Sequence, residues 1–203
     1  LISVNNKEGS MIVAVSGSQG CGKSTGVDEL HKTGFDVIQR KAPRAVLADW
    51  GMTLQQVNAD FDLTTKYQDE LFNRKVLDER VMDKHHLVFT ERSYADLFSY
   101  ALITLGKENR YSDWLNTYHS KCMYAQQAYS HIFYLKSGYF STKQDGVRGS
   151  NHHYSRMADL IMADCTAGMT LSSKITTIDT GCLEQRVNGI MYMSEKLQQE
   201  RRI

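Results

Sequence analysis

Two rhythms of hydrophobic and polar positions alternate along this chain. Five short apolar runs, rich in β-branched and aromatic residues, occupy positions 11–16, 35–38, 86–90, 131–135 and 174–178. Runs of this length and composition read as strands buried in a sheet. Between them the pattern shifts to a helical repeat. Val27, Leu30 and His31 are spaced for a helix after the first strand, and Leu63, Tyr67, Leu71 and Leu77 offer a buried face within one long helix over 54–83. Further helices are predicted over 96–105 (stopped at Gly106), over 111–129, onward from Tyr154, and over 182–199. Strand and helix in alternation imply an α/β fold of three layers, a five-stranded parallel sheet with helices on both faces. Ligands of such sheets bind outside the carboxyl ends of the strands. That edge collects the loops after residues 16, 38, 90, 135 and 179.

The first of these loops carries the chemistry most plainly. Gly17-Ser18-Gln19-Gly20-Cys21-Gly22-Lys23-Ser24, followed by Thr25, fits the phosphate-binding P-loop pattern (Walker A), and it lies between a predicted strand and a predicted helix as that motif requires. Gly17, Gly20 and Gly22 let the backbone turn through positive φ and approach a phosphate closely. Successive N–H groups then form an anion nest, reinforced by the N-terminal end of the helix. Lys23 is expected on the β- and γ-phosphates and Ser24 on Mg²⁺. A nucleoside triphosphate with Mg²⁺ is the ligand this pattern calls for. Cys21 stands at a variable position of the motif and reads as filler.

Other candidates gather at the same edge. After the third strand comes Glu91-Arg92-Ser93, where the carboxylate can hold Mg²⁺ or take a proton from an acceptor hydroxyl, and Arg92 can clamp a phosphate. The plain alternative is a surface ion pair at a strand end. The loop after the second strand, Gln39 to Arg44, carries Arg40, Lys41 and Arg44 in five residues, suited to an anionic acceptor, or else to solvation as a charge run. The stretch 143–150 is polar, basic and glycine-containing. With its surroundings, about 138–156, it reads as a small lid whose Arg148 or Arg156 can neutralise charge on a phosphoryl group in transfer, or else as an ordinary loop. Gln68 can read a base edge with its amide.

Composition narrows the setting. The 203 residues suffice for one domain, placed at 11–203, behind ten mostly polar residues expected to be an added extension ahead of a native Met11. The net charge of +1 demands no nucleic acid. Four scattered cysteines form no metal or disulfide pattern, and His152-His153 has no partner pair, so a reducing cytoplasm is expected. No apolar run approaches a membrane span.

With these pieces in place, residues 11–195 resemble the P-loop nucleoside and nucleotide kinases, in particular the thymidylate kinase and deoxynucleoside kinase branch and the ribosylnicotinamide kinase-like domains. The P-loop, the Glu91-Arg92-Ser93 element with the helix that follows, the lid entry Asp145-Gly146-Val147-Arg148 and the region of Gln68 carry the resemblance. It implies the P-loop NTPase fold, ATP as donor, Mg²⁺ as cofactor, a nucleotide acceptor and a homodimer. One departure bears on the acceptor. Kinases of nucleosides in this branch carry a Glu after the second strand that deprotonates the sugar hydroxyl, and here Lys41 stands there, with Arg44 following. A hydroxyl benefits from a base, whereas a phosphate already charged benefits from cations.

The expected function is therefore ATP-dependent phosphoryl transfer to a (deoxy)nucleoside monophosphate, with Lys23, Glu91, Arg92, Arg148 and Arg156 catalytic, and Arg40, Lys41, Arg44, Gln68 and Arg92 on the acceptor. A hydroxyl of a nucleoside, or of a modified base in DNA, remains open as acceptor, since Glu91 can act as base. A nucleotide-dependent switch or binding module is the third class. It fits less well, because Asn5-Asn6-Lys7-Glu8 is not the Asn-Lys-x-Asp base reader of a GTPase, and the third strand ends in Thr-Glu-Arg rather than in the paired acids of a motor ATPase.

Overall fold

The computed structural model describes residues 11–38, 42–81, 87–140 and 152–200. Strand β1 (Ile12–Ser16) is buried along its whole length, as a continuous apolar run requires of a central parallel strand. It pairs on one side with β3 (Val88–Glu91) and on the other with β4 (Tyr129–Leu135). β2 (Asp36–Ile38) extends the sheet beyond β3, and β5 (Ile175–Ile178) extends it beyond β4. All pairings are parallel, and the order is β2-β3-β1-β4-β5. The helices are α1 (Lys23–Lys32), α2 (Ala42–Trp50), α3 (Leu54–Ala59), α4 (Phe61–Val81), α5 (Tyr94–Leu105), α6 (Ser112–Gln126), α7 (His152–Met169) and α8 (Leu183–Glu200).

Alternation along the strands divides the core into two. Ile12, Ala14 and Ile132 face the residues of α2 to α7, whereas Val13, Val15, Phe89 and Phe133 face Val27 and Leu30 of α1 and Val187 and Ile190 of α8. This is the predicted three-layer arrangement.

Several boundaries differ from the sequence pattern for local reasons. The stretch read as one helix is two. Asp60 takes extended backbone angles, ends α3, and accepts the N–H groups of Asp62 and Leu63 at 2.9 and 3.1 Å, which starts α4. Within α4, Leu77 is 59% exposed and not part of the buried face. The buried stripe is Thr64, Tyr67, Gln68, Leu71, Phe72, Lys75, Val76 and Glu79, a true 3.6-residue repeat from which Leu77 falls out of phase. His31, likewise, is exposed. Of the basic segment after β2, Arg44 falls within α2, which begins at Ala42 with Pro43 in its first turn, where a missing N–H costs nothing. Tyr129 begins β4 rather than ending a helix, and β3 runs one residue further than expected, so that Glu91 lies in the strand opposite Val15. Of the expected lid, 141–151 lies outside the described residues, and 152–156 forms the start of α7.

Candidate functional site

The loop between β1 and α1 has the backbone its glycines were read to permit. Gly17, Gly20 and Gly22 have φ of 135°, 76° and 88°. At Gly17 the need is also steric, because a Cβ there would stand 2.4 Å from the Leu135 carbonyl oxygen. Lys23 is buried, and its ammonium donates to the carbonyls of Gly17 at 2.5 Å and Ser18 at 2.7 Å. The loop is thus wrapped around its own lysine. Ser24, one residue on and exposed, donates its hydroxyl to Glu91 Oε1 at 2.7 Å. The two residues read from the sequence as Mg²⁺ ligands, 67 positions apart in the chain, meet because β1 and β3 are neighbours. A hydroxyl and a carboxylate are hard oxygen donors of the kind Mg²⁺ takes beside phosphates, so this donor set fits the ion. Among the described residues no group of three or more His, Cys, Asp or Glu side chains could hold a metal by itself.

Arg92 turns the chain out of β3 with φ 71°, the one non-glycine residue in the left-handed region among the described residues. Such a conformation costs about 1–3 kcal/mol and persists where its surroundings impose it. Here the Arg92 N–H donates to Val15 O at 2.9 Å, and its carbonyl accepts from Lys75 Nζ at 2.8 Å. The Arg92 guanidinium lies 5.5 Å from the Tyr100 ring centroid. Burial works against its charge, but Tyr100, Glu91 and Asp96 outweigh burial and raise its pKa. Ser93 caps α5 by accepting the N–H of Asp96, and Gln126 Oε1 accepts the next orphan N–H groups, those of Tyr94 and Ala95. The Asp96 carboxylate bridges the hydroxyls of Ser16 and Ser93, tying the end of β1 to the start of α5.

Buried polar atoms are normally paired. The exceptions among the described residues are Ser18 Oγ, Gln68 Oε1, Arg92 Nε, Asp96 Oδ2 and Ser194 Oγ. Of these five, Ser18 belongs to the P-loop, Arg92 to the turn after β3 and Asp96 to the first turn of α5 that follows it. Gln68 lies two helical turns before Lys75 on the same stripe of α4. Unpaired buried donors and acceptors concentrated at one sheet edge suit a polar ligand.

The other predicted residues fare unequally. Arg44 is exposed on α2, and Arg156 is exposed in the first turns of α7. Gln19 brings α7 toward the P-loop, its Nε2 standing 3.5 Å from Ser155 Oγ. Arg40, Lys41 and Arg148 lie outside the described residues. Sequence reasoning missed Lys75, Glu79, Asp96, Gln126 and, above all, Arg186. This arginine of α8 is 1% exposed and donates to the carbonyls of Cys21, Thr180 (2.5 Å) and Lys136 (3.1 Å), while its guanidinium lies over Phe140 at 4.9 Å and Tyr139 at 5.5 Å. Burial lowers its pKa. It holds the P-loop from behind. Lys75 and Glu79 did carry a signal, since two charges spaced i,i+4 in phase with Leu71 and Phe72 must be buried with them. Arg186 carried none.

A family model described as an AAA domain matches residues 12–186. No curated relative matches the sequence. Among solved structures, the NadR protein in complex with NAD and AMP-PNP aligns with a TM-score of 0.69 and 14% identity, over 94% of this chain and 50% of that one. Deoxyadenosine kinase from M. mycoides, with products dCMP and a flexible dCDP bound, aligns with a TM-score of 0.68 and 14% identity, over 92% of this chain and 100% of that one. The likeness is one of fold, and the chain spans half the length of the NadR chain it matches.

Proposed function

This chain belongs to the AAA domain family, matched over residues 12–186, and from that premise we propose that it is a Mg²⁺-dependent kinase transferring the γ-phosphoryl group of ATP to a (deoxy)nucleoside monophosphate. The observation that carries the reading is the Ser24 to Glu91 hydrogen bond of 2.7 Å, beside the left-handed turn at Arg92. It brings phosphate cradle, metal-type oxygen donors and an arginine to one point.

The roles follow from the chemistry. The P-loop amides and the Lys23 ammonium hold and neutralise the donor phosphates. Ser24 and Glu91 would hold Mg²⁺, which would supply positive charge to offset that of the donor phosphates. Arg92, with Arg44 and Lys41, orients the acceptor phosphate, and Gln68 presents its amide to the base. Arg148 and Arg156 close over the transferring group. Transfer of this kind needs positioning and charge neutralisation more than covalent help. Lys41 at the position of the expected base supports a phosphate rather than a hydroxyl as acceptor.

A hydroxyl acceptor, on a nucleoside or on a modified base in DNA, is the second reading, and for a nucleoside it is favoured by the fold shared with the deoxyadenosine kinase and its bound product dCMP. Glu91 would then act as base. The test is transfer from γ-labelled ATP with Mg²⁺ to nucleosides, nucleoside monophosphates, and DNA with and without hydroxylated bases. Label in a diphosphate is the expected result. Label in a nucleoside or in DNA replaces the first reading with the second, and label only in free phosphate refutes both. Lys23→Ala should reduce turnover below a few per cent of the native rate in the same assay.

A further inference from the structure

Lys75 and Glu79 form a buried ion pair with no part in the roles assigned above. Lys75 is 0% exposed and Glu79 6%, and they meet at 2.5 Å, one turn apart on α4. The three N–H donors of the ammonium meet three acceptors: Glu79 Oε1, Thr90 Oγ1 at 3.1 Å and the Arg92 carbonyl at 2.8 Å. Glu79 accepts in turn from the hydroxyls of Thr90 (3.1 Å), Tyr129 (3.0 Å) and Tyr94 (2.7 Å). The ammonium also lies 5.2 and 5.6 Å from the Tyr94 and Tyr129 rings. Burying a charge pair is unfavourable unless its geometry is closed in this way, and well-packed apolar residues often serve stability as well or better. Stability alone is thus a weak account of it.

The partners say what else the pair does. Lys75 holds the carbonyl of the one strained non-glycine residue among the described residues, and that residue lies between Glu91 and the cap of α5. With the Arg92 N–H fixed to β1, both ends of the left-handed peptide unit are clamped. We propose that Lys75, balanced by Glu79, is a positioning residue that imposes the Arg92 turn and so aims the Glu91 carboxylate at Ser24 of the P-loop and fixes the Arg92 guanidinium beside Tyr100. The proposal rests on the phosphoryl-transfer reading for its consequence in catalysis, but not for its structural content.

Removing Lys75 alone would strand the Glu79 charge, so the test uses Lys75→Met with Glu79→Gln. That pair removes both charges and leaves an acceptor for the tyrosine hydroxyls. Two readouts are taken on the full chain with native protein beside it. The first is hydrogen exchange of the Arg92 amide, whose protection should fall about tenfold or more while the interior amides of β1 and β4 keep theirs. The second is steady-state kinetics, where a catalytic turn displaced by ångströms should lower kcat about 100-fold with KM for ATP within about threefold. Unchanged Arg92 protection overturns the proposal whatever the kinetics do, and so does native kcat with lowered protection. If native protein transfers phosphate to no acceptor, the phosphoryl-transfer reading fails, and the exchange measurement alone decides whether Lys75 holds the turn.

Discussion

Replacing Arg186 with methionine tests how the P-loop is supported. The side chain is 1% exposed, so methionine keeps most of its buried volume and removes only the guanidinium. Three acceptors lose their donor, but unequally. The Cys21 residue is fully buried, so its carbonyl has no water to turn to, whereas Lys136 is exposed and Thr180 half-buried, and both can be rehydrated. A stranded buried acceptor costs about 1–3 kcal/mol. Loss of the cation–π contacts with Phe140 and Tyr139 adds about 0.5–1 kcal/mol. Relief from burying a guanidinium offsets part of this. The expected net loss is about 2–3 kcal/mol, a 30- to 150-fold change in the unfolding equilibrium. Urea melts with unchanged m-value measure it. Because Cys21 lies within the phosphate cradle, AMP-PNP affinity should fall as well, by about tenfold. Arg186→Lys keeps the charge but not the fork, so it should recover only part of either loss. Native stability and native AMP-PNP affinity in Arg186→Met would refute the reasoning and reduce Arg186 to packing.

Two further outcomes are expected. Gly17→Ala places a Cβ 2.4 Å from the Leu135 carbonyl oxygen and 2.8 Å from Cys21 Sγ at a φ of 135°, so it should destabilise by about 3 kcal/mol or more and abolish nucleotide binding, read by thermal melts with and without AMP-PNP. His131 is buried and contacts Thr176 Oγ1 at 2.8 Å. Burial, helped by the Lys174 charge, lowers its pKa below the ordinary value of 6.5. The unfolded chain therefore binds the proton more readily. The stability due to the neutral ring is complete above pH 6.5 and is lost as pH falls from there toward the lowered folded value. His131→Gln should flatten that segment of a stability-versus-pH curve measured by urea melts, and an unaltered slope would assign the dependence elsewhere.

The P-loop was legible because its chemistry is local. Three glycines, a lysine and a serine within eight residues need only a strand before and a helix after, and short-range apolar patterning supplies both. The alternating fold and its five parallel strands were legible for the same reason. The finer boundaries were not. Asp60 ends one helix and starts the next through its own side chain, and Leu77 has the right character in the wrong phase. Tertiary structure alone decided the rest. The strand order puts β3 beside β1, which brings Glu91 to Ser24 across 67 positions, and no pattern along the chain encodes that adjacency. The left-handed turn at Arg92 is imposed by Lys75 and Val15 from other elements, against the residue's own preference. Arg186 reaches the P-loop carbonyl from 165 positions away. Its bonds run to main-chain oxygens, which every residue type carries, so the sequence holds no mark of where they would form.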